Sequence, residues 1–169
     1  EAVPVVDAAS AADPGLADRL AASTLTYLPG GDPDVIPTLL PGSAAWAAMR
    51  GAWEGGAVLA GASAGAMALA AWTWTREGGV RGLGVVQGLG VAPHADATSW
   101  AQAVARYGAA VPPELDFIGL AERTAVIVPA AAGEPWRVVG EGEARWLSAA
   151  ARAAGEPPLV VGHGDVLVP

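Results

Sequence analysis

A serine stands between small residues where an apolar segment gives way to an alanine-rich one. The segment Gly61-Ala62-Ser63-Ala64-Gly65 follows the apolar run 57–60 and precedes the alanine-rich run 66–72. Strand, sharp turn at a serine and helix is the order that a nucleophile elbow requires, and small flanking residues let the strand and helix approach closely. The segment predicts an exposed Ser63 hydroxyl, although a turn of this kind also occurs as a purely structural element.

Composition indicates one folded domain and excludes several classes of function. The chain has 169 residues, of which 53% are hydrophobic and 15% charged, with a net charge of −8. An acidic chain without a basic stripe is a poor partner for nucleic acid or for an anionic membrane. The absence of cysteine excludes disulfides, thiolate metal sites and a cysteine nucleophile, and two histidines are too few for a histidine-rich metal site.

No apolar run reaches the length of a membrane span, and no signal-peptide pattern is visible at the first residues. We therefore expect a cytoplasmic protein. The sequence leaves the oligomeric state open, with a homodimer as one option.

Extended apolar segments alternate with helical ones, which predicts an α/β fold with a mainly parallel sheet flanked by helices. The expected strands include 1–6, 24–28, 57–60, 83–86, 89–91, 116–120, 124–128, 159–161 and 165–168. The expected helices are 13–22, 34–40, 43–53, 98–108 and one that runs from the Ser63 turn to about Thr73. Segments 136–139 and 144–147 are expected to form a hairpin around Gly140-Glu141-Gly142.

Three turns follow apolar extended segments and carry residues suited to chemistry: the Gly30-Gly31 turn, Ser63, and His94 after Pro93. In open α/β sheets, sites lie beyond the carboxyl ends of the strands, so these turns are expected to meet at one sheet edge. A serine nucleophile needs a base, and His94 fits that role better than His163, which lies in a turn near the last residue.

The base in turn needs a carboxylate that orients it, and the sequence offers several. Candidates after the serine are Glu77, Asp96, Glu114, Asp116 and Glu122. Glu122 lies between two apolar strands, so the sheet would fix its position, while Asp96 lies two residues from His94 and is an alternative that helps to position it. Spacing favours Glu122 without excluding the others.

Backbone N–H groups are the expected donors to the oxyanion of a reaction intermediate. The residue after the nucleophile, Ala64, is one donor, and Gly31 is the second because glycine permits a close approach of backbone to substrate. We expect Gly30 and Asp32, on either side of Gly31, to contact the substrate.

Four segments in this order, 27–33, 56–67, 92–94 and 119–125, give the chain a resemblance to peptidase family S51, which includes α-aspartyl dipeptidases and cyanophycinases. The family is similar in fold to class I glutamine amidotransferases, so the resemblance implies a flavodoxin-like architecture. It implies a Ser-His-Glu triad of Ser63, His94 and Glu122, an oxyanion hole near Gly31 and Ala64, and no metal or organic cofactor. Serine, histidine and acid follow one another in a different order from that of α/β-hydrolases, which disfavours a lipase or esterase.

The resemblance also implies a substrate and a domain plan. It predicts a single S51-like domain over 1–169 that lacks the family's N-terminal strand region, and a serine peptidase acting on small, aspartyl-dipeptide-like substrates. A cation for a substrate carboxylate would come from Arg76, Arg81, Arg106 or Arg123. Asp32-Pro33 replaces the Asn-Gln typical of cyanophycinases, which disfavours cyanophycin cleavage.

Two other functions stay open. One is a non-catalytic binding or regulatory module that keeps the fold. The other is an amidotransferase-like role, which is disfavoured because those enzymes use a cysteine nucleophile.

Overall fold

The computed structural model describes residues 1–131 and 133–168. Its helices are α1 Ala8–Ala12, α2 Pro14–Ala21, α3 Val35–Leu39, α4 Ala44–Glu54, α5 Ala64–Leu69, α6 Trp100–Arg106 and α7 Ala149–Ala154, with a 3-10 turn at Gly108–Ala110. Its strands are β1 Leu25–Leu28, β2 Val58–Gly61, β3 Ala70–Thr75, β4 Gly78–Arg81, β5 Val86–Ala92, β6 Asp116–Leu120, β7 Thr124–Ile127, β8 Trp136–Gly140, β9 Ala144–Leu147, β10 Leu159–Val161 and β11 Val166–Leu167.

The central sheet contains six strands in the order β10-β9-β6-β5-β3-β4. Strands β3, β5 and β6 pair in parallel at its centre, while β4 on one side and β9 and β10 on the other pair antiparallel. The predicted mixed α/β class is confirmed, and the parallel strands are the ones that lead toward the candidate site.

Strands β1 and β2 form a separate parallel pair, and α5 packs between this pair and strands β3 and β5. Strands β7, β8 and β11 form a third, antiparallel sheet. One apolar core joins Leu89, Ile118 and Val138 from the central and third sheets. A second core lies around Trp46 and Leu28 between α4 and β1.

Four local predictions are wrong. Residues 83–85 form no strand, and β5 begins only at Val86. Residues 1–6 form no strand; instead the Ser10 hydroxyl accepts the N–H groups of Val6 and Asp7 and starts α1. The helix after Ser63 ends at Leu69 rather than near Thr73, because the β-favouring run that follows pairs with β4 and β5.

The expected hairpin of 136–139 with 144–147 does not form either. Strand β8 pairs with β7 and β11, whereas β9 pairs with β6 and β10 in the central sheet. The turn 141–143 therefore carries the chain from one sheet to the other. Within the described residues, no helix combines the length and the apolar character that crossing a membrane would require.

Glycine at two positions lets α5 lie directly against the β1–β2 pair. A Cβ at Gly65 would lie 2.1 Å from the Leu28 carbonyl oxygen, and one at Gly61 would lie 2.6 Å from the Gly65 carbonyl. Both neighbours are backbone atoms, which cannot move aside as a flexible side chain can. The bend at Ser63 therefore depends on these two glycines.

We expect Gly65→Ala to destabilise the protein by about 1–3 kcal/mol or more, because the new methyl group forces helix and strand apart. Chemical denaturation measures the change. Gly51→Ala is the matched control: Gly51 lies inside α4 with open space around it, so alanine there should raise the free energy of unfolding by up to about 1 kcal/mol. Equal stabilities of Gly65→Ala and the wild type would contradict the packing described here.

Candidate active site

The backbone at Ser63 adopts a conformation that residues other than glycine rarely take. Its φ is 50° and its ψ is −119°, between the end of β2 and the start of α5. The turn is fixed on both sides, since the Ala62 N–H donates to the Leu28 carbonyl and the Met67 N–H donates to the Ser63 carbonyl, each at 3.0 Å. This geometry places the Ser63 side chain outside both β2 and α5.

The His94 ring faces this serine. His94 follows β5 and Pro93 with a positive φ of 57°. Its Nε2 lies 3.0 Å from the Ser63 Oγ. The Ser99 hydroxyl donates to the His94 carbonyl at 2.5 Å and so helps to hold this peptide in place.

Glu122 contacts the opposite nitrogen of the same ring. The His94 Nδ1 lies 2.5 Å from the Glu122 Oε1. Strands β5 and β6 are parallel neighbours with Ala92 opposite Gly119, so the residues just beyond their carboxyl ends come together. The structure thus brings Ser63, His94 and Glu122 into one continuous line of contacts, with the His94 and Glu122 side chains 59% and 67% exposed.

Backbone strain is concentrated around these residues. Among the described residues, the non-glycine positions with positive φ are Ser63, His94 and Arg123, at 50°, 57° and 54°. Arg123 follows Glu122 directly, and its carbonyl accepts the Glu141 N–H at 3.0 Å. Strained residues cluster at functional sites because the surrounding structure must hold them there, so this distribution supports a functional role for the three turns.

The Gly30-Gly31 turn lies against the serine. A Cβ at Gly30 would lie 2.9 Å from the Ser63 Cβ, so a side chain there would collide with the serine. Gly31 has a φ of 149° and open space beside its Cα. Within the described part of the chain, the backbone N–H groups of Gly31 and Ala64 donate to no protein acceptor.

Asp32, the other expected substrate contact, is held by protein groups. Its carboxylate accepts the Arg76 Nη1 at 2.7 Å, and this hydrogen bond lowers the pKa of Asp32. Arg76 also binds the Asp34 carboxylate through Nη1 at 3.2 Å and through its backbone N–H at 2.9 Å. The cluster ties the turn after Gly31 to the β3–β4 turn.

Other candidates lie elsewhere. His163 accepts the Gly140 N–H through its Nδ1 at 3.2 Å, and Asp116 accepts the Ala149 N–H. Arg106 lies 4.7 Å from the Trp74 ring centroid, and Arg123 pairs with Glu141 at 2.7 Å. Among the described residues, no group of three or more histidine, aspartate or glutamate side chains is arranged to hold a metal ion.

Asp96 does not touch the His94 ring but organises the loop that follows it. Its Oδ1 accepts hydrogen bonds from the hydroxyl and N–H groups of Thr98 and Ser99. These bonds, the Thr98 hydroxyl first among them, lower the pKa of Asp96 to about 2. Because Ser99 also binds the His94 carbonyl, Asp96 supports the histidine indirectly.

Sequence reasoning missed two supporting residues, Ser99 and Arg145. The short pattern from Asp96 to Ser99 is a signal that could have indicated a capping turn. Arg145 gave no such signal, because an arginine in an alternating strand usually faces solvent. Here its side chain is only 8% exposed and its Nη1 donates to the carbonyl of Ala95 at 3.2 Å.

A serine hydroxyl, an imidazole and a carboxylate joined in this order on an α/β scaffold form the arrangement typical of hydrolases. Comparison with known proteins agrees: the chain belongs to peptidase family S51, whose model matches residues 2–132. Its fold is similar to the crystal structure of a peptidase from an acI-B1 actinobacterium, with a TM-score of 0.82 and 25% sequence identity over 98% of this chain and 68% of the other. Among curated proteins, no significant match is found.

The lowered pKa of Asp96 predicts a pH-dependent contribution to stability. An aspartate titrates near about 3.9 in an unfolded chain, so its charge stabilises the folded protein above that pH. This contribution is lost as the pH falls toward the folded value of about 2. We expect Asp96→Asn to lower the melting temperature at neutral pH and to flatten its decline between about pH 4 and pH 2.

Thermal unfolding followed by circular dichroism across that range measures both effects. Asp18→Asn, on the exposed side of α2, removes one negative charge elsewhere and serves as the control. Parallel stability curves for wild type and Asp96→Asn would show that the Asp96 hydrogen bonds do not act as described.

Proposed function

We propose that this protein is a serine-type peptidase that hydrolyses small peptides through Ser63, His94 and Glu122. The observation that carries the proposal is the pair of contacts on one imidazole ring. Its Nε2 is 3.0 Å from the Ser63 Oγ, and its Nδ1 is 2.5 Å from the Glu122 Oε1. The first distance lies within the range that proton transfer requires, and the second is a short hydrogen bond that orients the ring.

The chemistry follows from this geometry. The Glu122 carboxylate accepts a hydrogen bond from Nδ1–H, which keeps the proton on Nδ1 and leaves the Nε2 lone pair directed at the Ser63 hydroxyl. As the serine oxygen attacks a peptide carbonyl, Nε2 takes its proton and then passes it to the leaving amine. Water then hydrolyses the resulting acyl-enzyme: Nε2 takes a proton from the attacking water and returns it to the Ser63 oxygen as that oxygen leaves.

The turn at Ser63 acts in this proposal as a nucleophile elbow. The positive φ of Ser63 exposes its hydroxyl and leaves the N–H of the next residue, Ala64, close to the attacking oxygen. The Gly30-Gly31 turn lies against the serine and adds the Gly31 N–H as the second donor. Two such donors stabilise the negative charge that develops on the carbonyl oxygen.

The surroundings of the site support a short peptide as substrate. A cavity of about 820 Å³, lined mainly by the first residues of the chain, β1 and α3 and not by Ser63, His94 or Glu122, borders the site at Gly30, Gly31 and Ala64. Its volume is within the usual range for sites that bind small molecules. Asp32 and Asp34 share the single guanidinium of Arg76, so this corner of the site keeps a net negative charge. A net negative charge suits the free amino terminus of a peptide and supports removal of an N-terminal residue.

Because the chain belongs to peptidase family S51, aspartyl dipeptides are the first substrates to test, and the β-aspartyl linkages of cyanophycin are the alternative. A dipeptide library with mass-spectrometric detection of the released amino acids would rank the side chains directly. The comparison of α- and β-aspartyl peptides within that library separates the two options.

We expect Ser63→Ala to abolish both dipeptide hydrolysis and covalent labelling by a serine-directed phosphonate, because it removes the hydroxyl that contacts the His94 Nε2. Intact-protein mass spectrometry detects the phosphonyl adduct. Ser43→Ala is the control: Ser43 caps α4 away from the site, so that variant loses about 1 kcal/mol of stability but keeps labelling.

Two results, one for each protein, would contradict the proposal. Labelling that persists in Ser63→Ala would remove Ser63 as the nucleophile. A folded wild type that is neither labelled nor active on any peptide of the library would favour a binding module that keeps the fold.

We expect Glu122→Gln to lower kcat by at least about 100-fold, because the amide no longer stabilises the imidazolium that forms during attack. Steady-state kinetics on the best dipeptide measures the loss. Glu141→Gln is the matched control, since Glu141 forms only an exposed ion pair with Arg123, and such pairs contribute little. Equal kcat values for the two variants would contradict the role of Glu122.

A further inference from the structure

A buried arginine lies behind the His94–Glu122 contact. Arg145 belongs to β9, where it stands opposite Gly119 of β6, and its side chain is only 8% exposed. Its Nη1 donates to the Ala95 carbonyl at 3.2 Å, and its Nη2 donates to the Glu143 carboxylate at 2.6 Å. The guanidinium is thus held between the loop after His94 and the turn that precedes β9.

The Ala95 peptide connects this arginine to the histidine. Ala95 directly follows His94, and its own N–H donates to the Leu120 carbonyl at 2.9 Å. Its side chain packs against Gly119, where an added Cβ would lie 2.8 Å from the Ala95 Cβ. Arg145 and the end of β6 therefore fix both polar groups of the residue that follows His94.

The other end of the Arg145 contact reaches the residue before Glu122. Glu143 pairs with Arg145 through its side chain, and its backbone carbonyl accepts the Ala121 N–H at 3.1 Å. One ion pair, between the buried Arg145 and the half-exposed Glu143, thus touches the loops that carry both partners of the His94–Glu122 hydrogen bond.

The energetics make a purely stabilising role a poor explanation. Burying the Arg145 charge is costly, and its partner Glu143 remains half-exposed, so the pair is a weak source of stability. The contacts of Arg145 instead prevent the strained His94 peptide from relaxing to another backbone conformation. His94 is strained at a φ of 57°, and its neighbour's carbonyl is held by a charged donor.

We propose that Arg145 is a positioning residue that holds the His94 ring in register with Glu122 by binding the Ala95 carbonyl. The proposal rests on the proposed peptidase function for its kinetic consequence but not for its structural one. Arg145 touches no reacting atom and acts only through the His94 loop. Replacing Arg145 should therefore change which nitrogen of the His94 ring carries the proton.

The nitrogen-15 shifts of the histidine rings, recorded at about pH 8.5 where neutral imidazole dominates, report this state. In the wild type His94 should carry its proton on Nδ1, facing Glu122. His163 should carry its proton on Nε2, because its Nδ1 accepts the Gly140 N–H. The two histidines of the chain thus serve as signal and internal reference.

The variants are Arg145→Met and Arg145→Lys, with Arg152→Met as the matched control. Arg152 is a partly buried arginine that donates to four backbone carbonyls, those of Gly108, Val111, Pro112 and Leu115. Its loss removes comparable hydrogen bonds from a part of the fold that does not touch His94. It therefore reports what general destabilisation does to the ring.

We expect Arg145→Met to shift His94 toward the Nε2-protonated form and to lower kcat by about 10- to 100-fold with little change in KM, as a small misplacement of a catalytic group does. Arg145→Lys should restore part of both, because an ammonium still reaches one of the two partners. Arg152→Met should keep the His94 tautomer of the wild type.

An unchanged His94 tautomer in folded Arg145→Met, or an equal change in Arg152→Met, would overturn the proposal. If Arg145→Met does not fold, Arg145→Lys and Glu143→Gln must show the same shift in smaller measure, and its absence in both would also overturn it. A wild type that shows the expected tautomers but no hydrolysis would leave the positioning role in place and remove the peptidase function instead.

Discussion

The site depends on how closely α5 lies to the β1–β2 pair. Without a Cβ at Gly61 and Gly65, helix and strand backbones touch, and the two-residue link between them must turn at Ser63 with a positive φ. The same closeness brings the Leu28 carbonyl to the Ala62 N–H and carries the following Gly30-Gly31 turn against the serine. One packing constraint thus places both the candidate nucleophile and a candidate oxyanion donor.

The remaining two members of the site follow from strand order. Neighbouring parallel strands end at the same edge, so His94 and Glu122, each two residues beyond its strand, are brought together by pairing alone. Strand ends and turn residues are local signals, so sequence reasoning could name His94 as the candidate base. It left Glu122 as one of several carboxylates, which the family resemblance then singled out. The α/β class was accessible from the alternation of local elements, and the family from four short motifs.

Features that depend on distant partners were not accessible. Segments 136–139 and 144–147 look like a hairpin in sequence, but each finds a better partner strand elsewhere. The residues after Leu69 have enough alanine to extend a helix, yet pairing with β4 and β5 takes them into a sheet. Arg145 reads as a surface residue until β9 is placed beside β6, where its neighbours become the His94 loop.

The exposure of the site explains why such hidden support matters. The His94 and Glu122 side chains are 59% and 67% exposed, and a polar contact between such exposed groups contributes little energy of its own. Such a contact cannot keep a strained histidine peptide in place. The peptide is held instead by bonds to its backbone, from Ser99 to the carbonyl of His94 and from the buried Arg145 to that of Ala95. The position of the exposed His94 imidazole is therefore set by these hydrogen bonds to the backbone of His94 and Ala95.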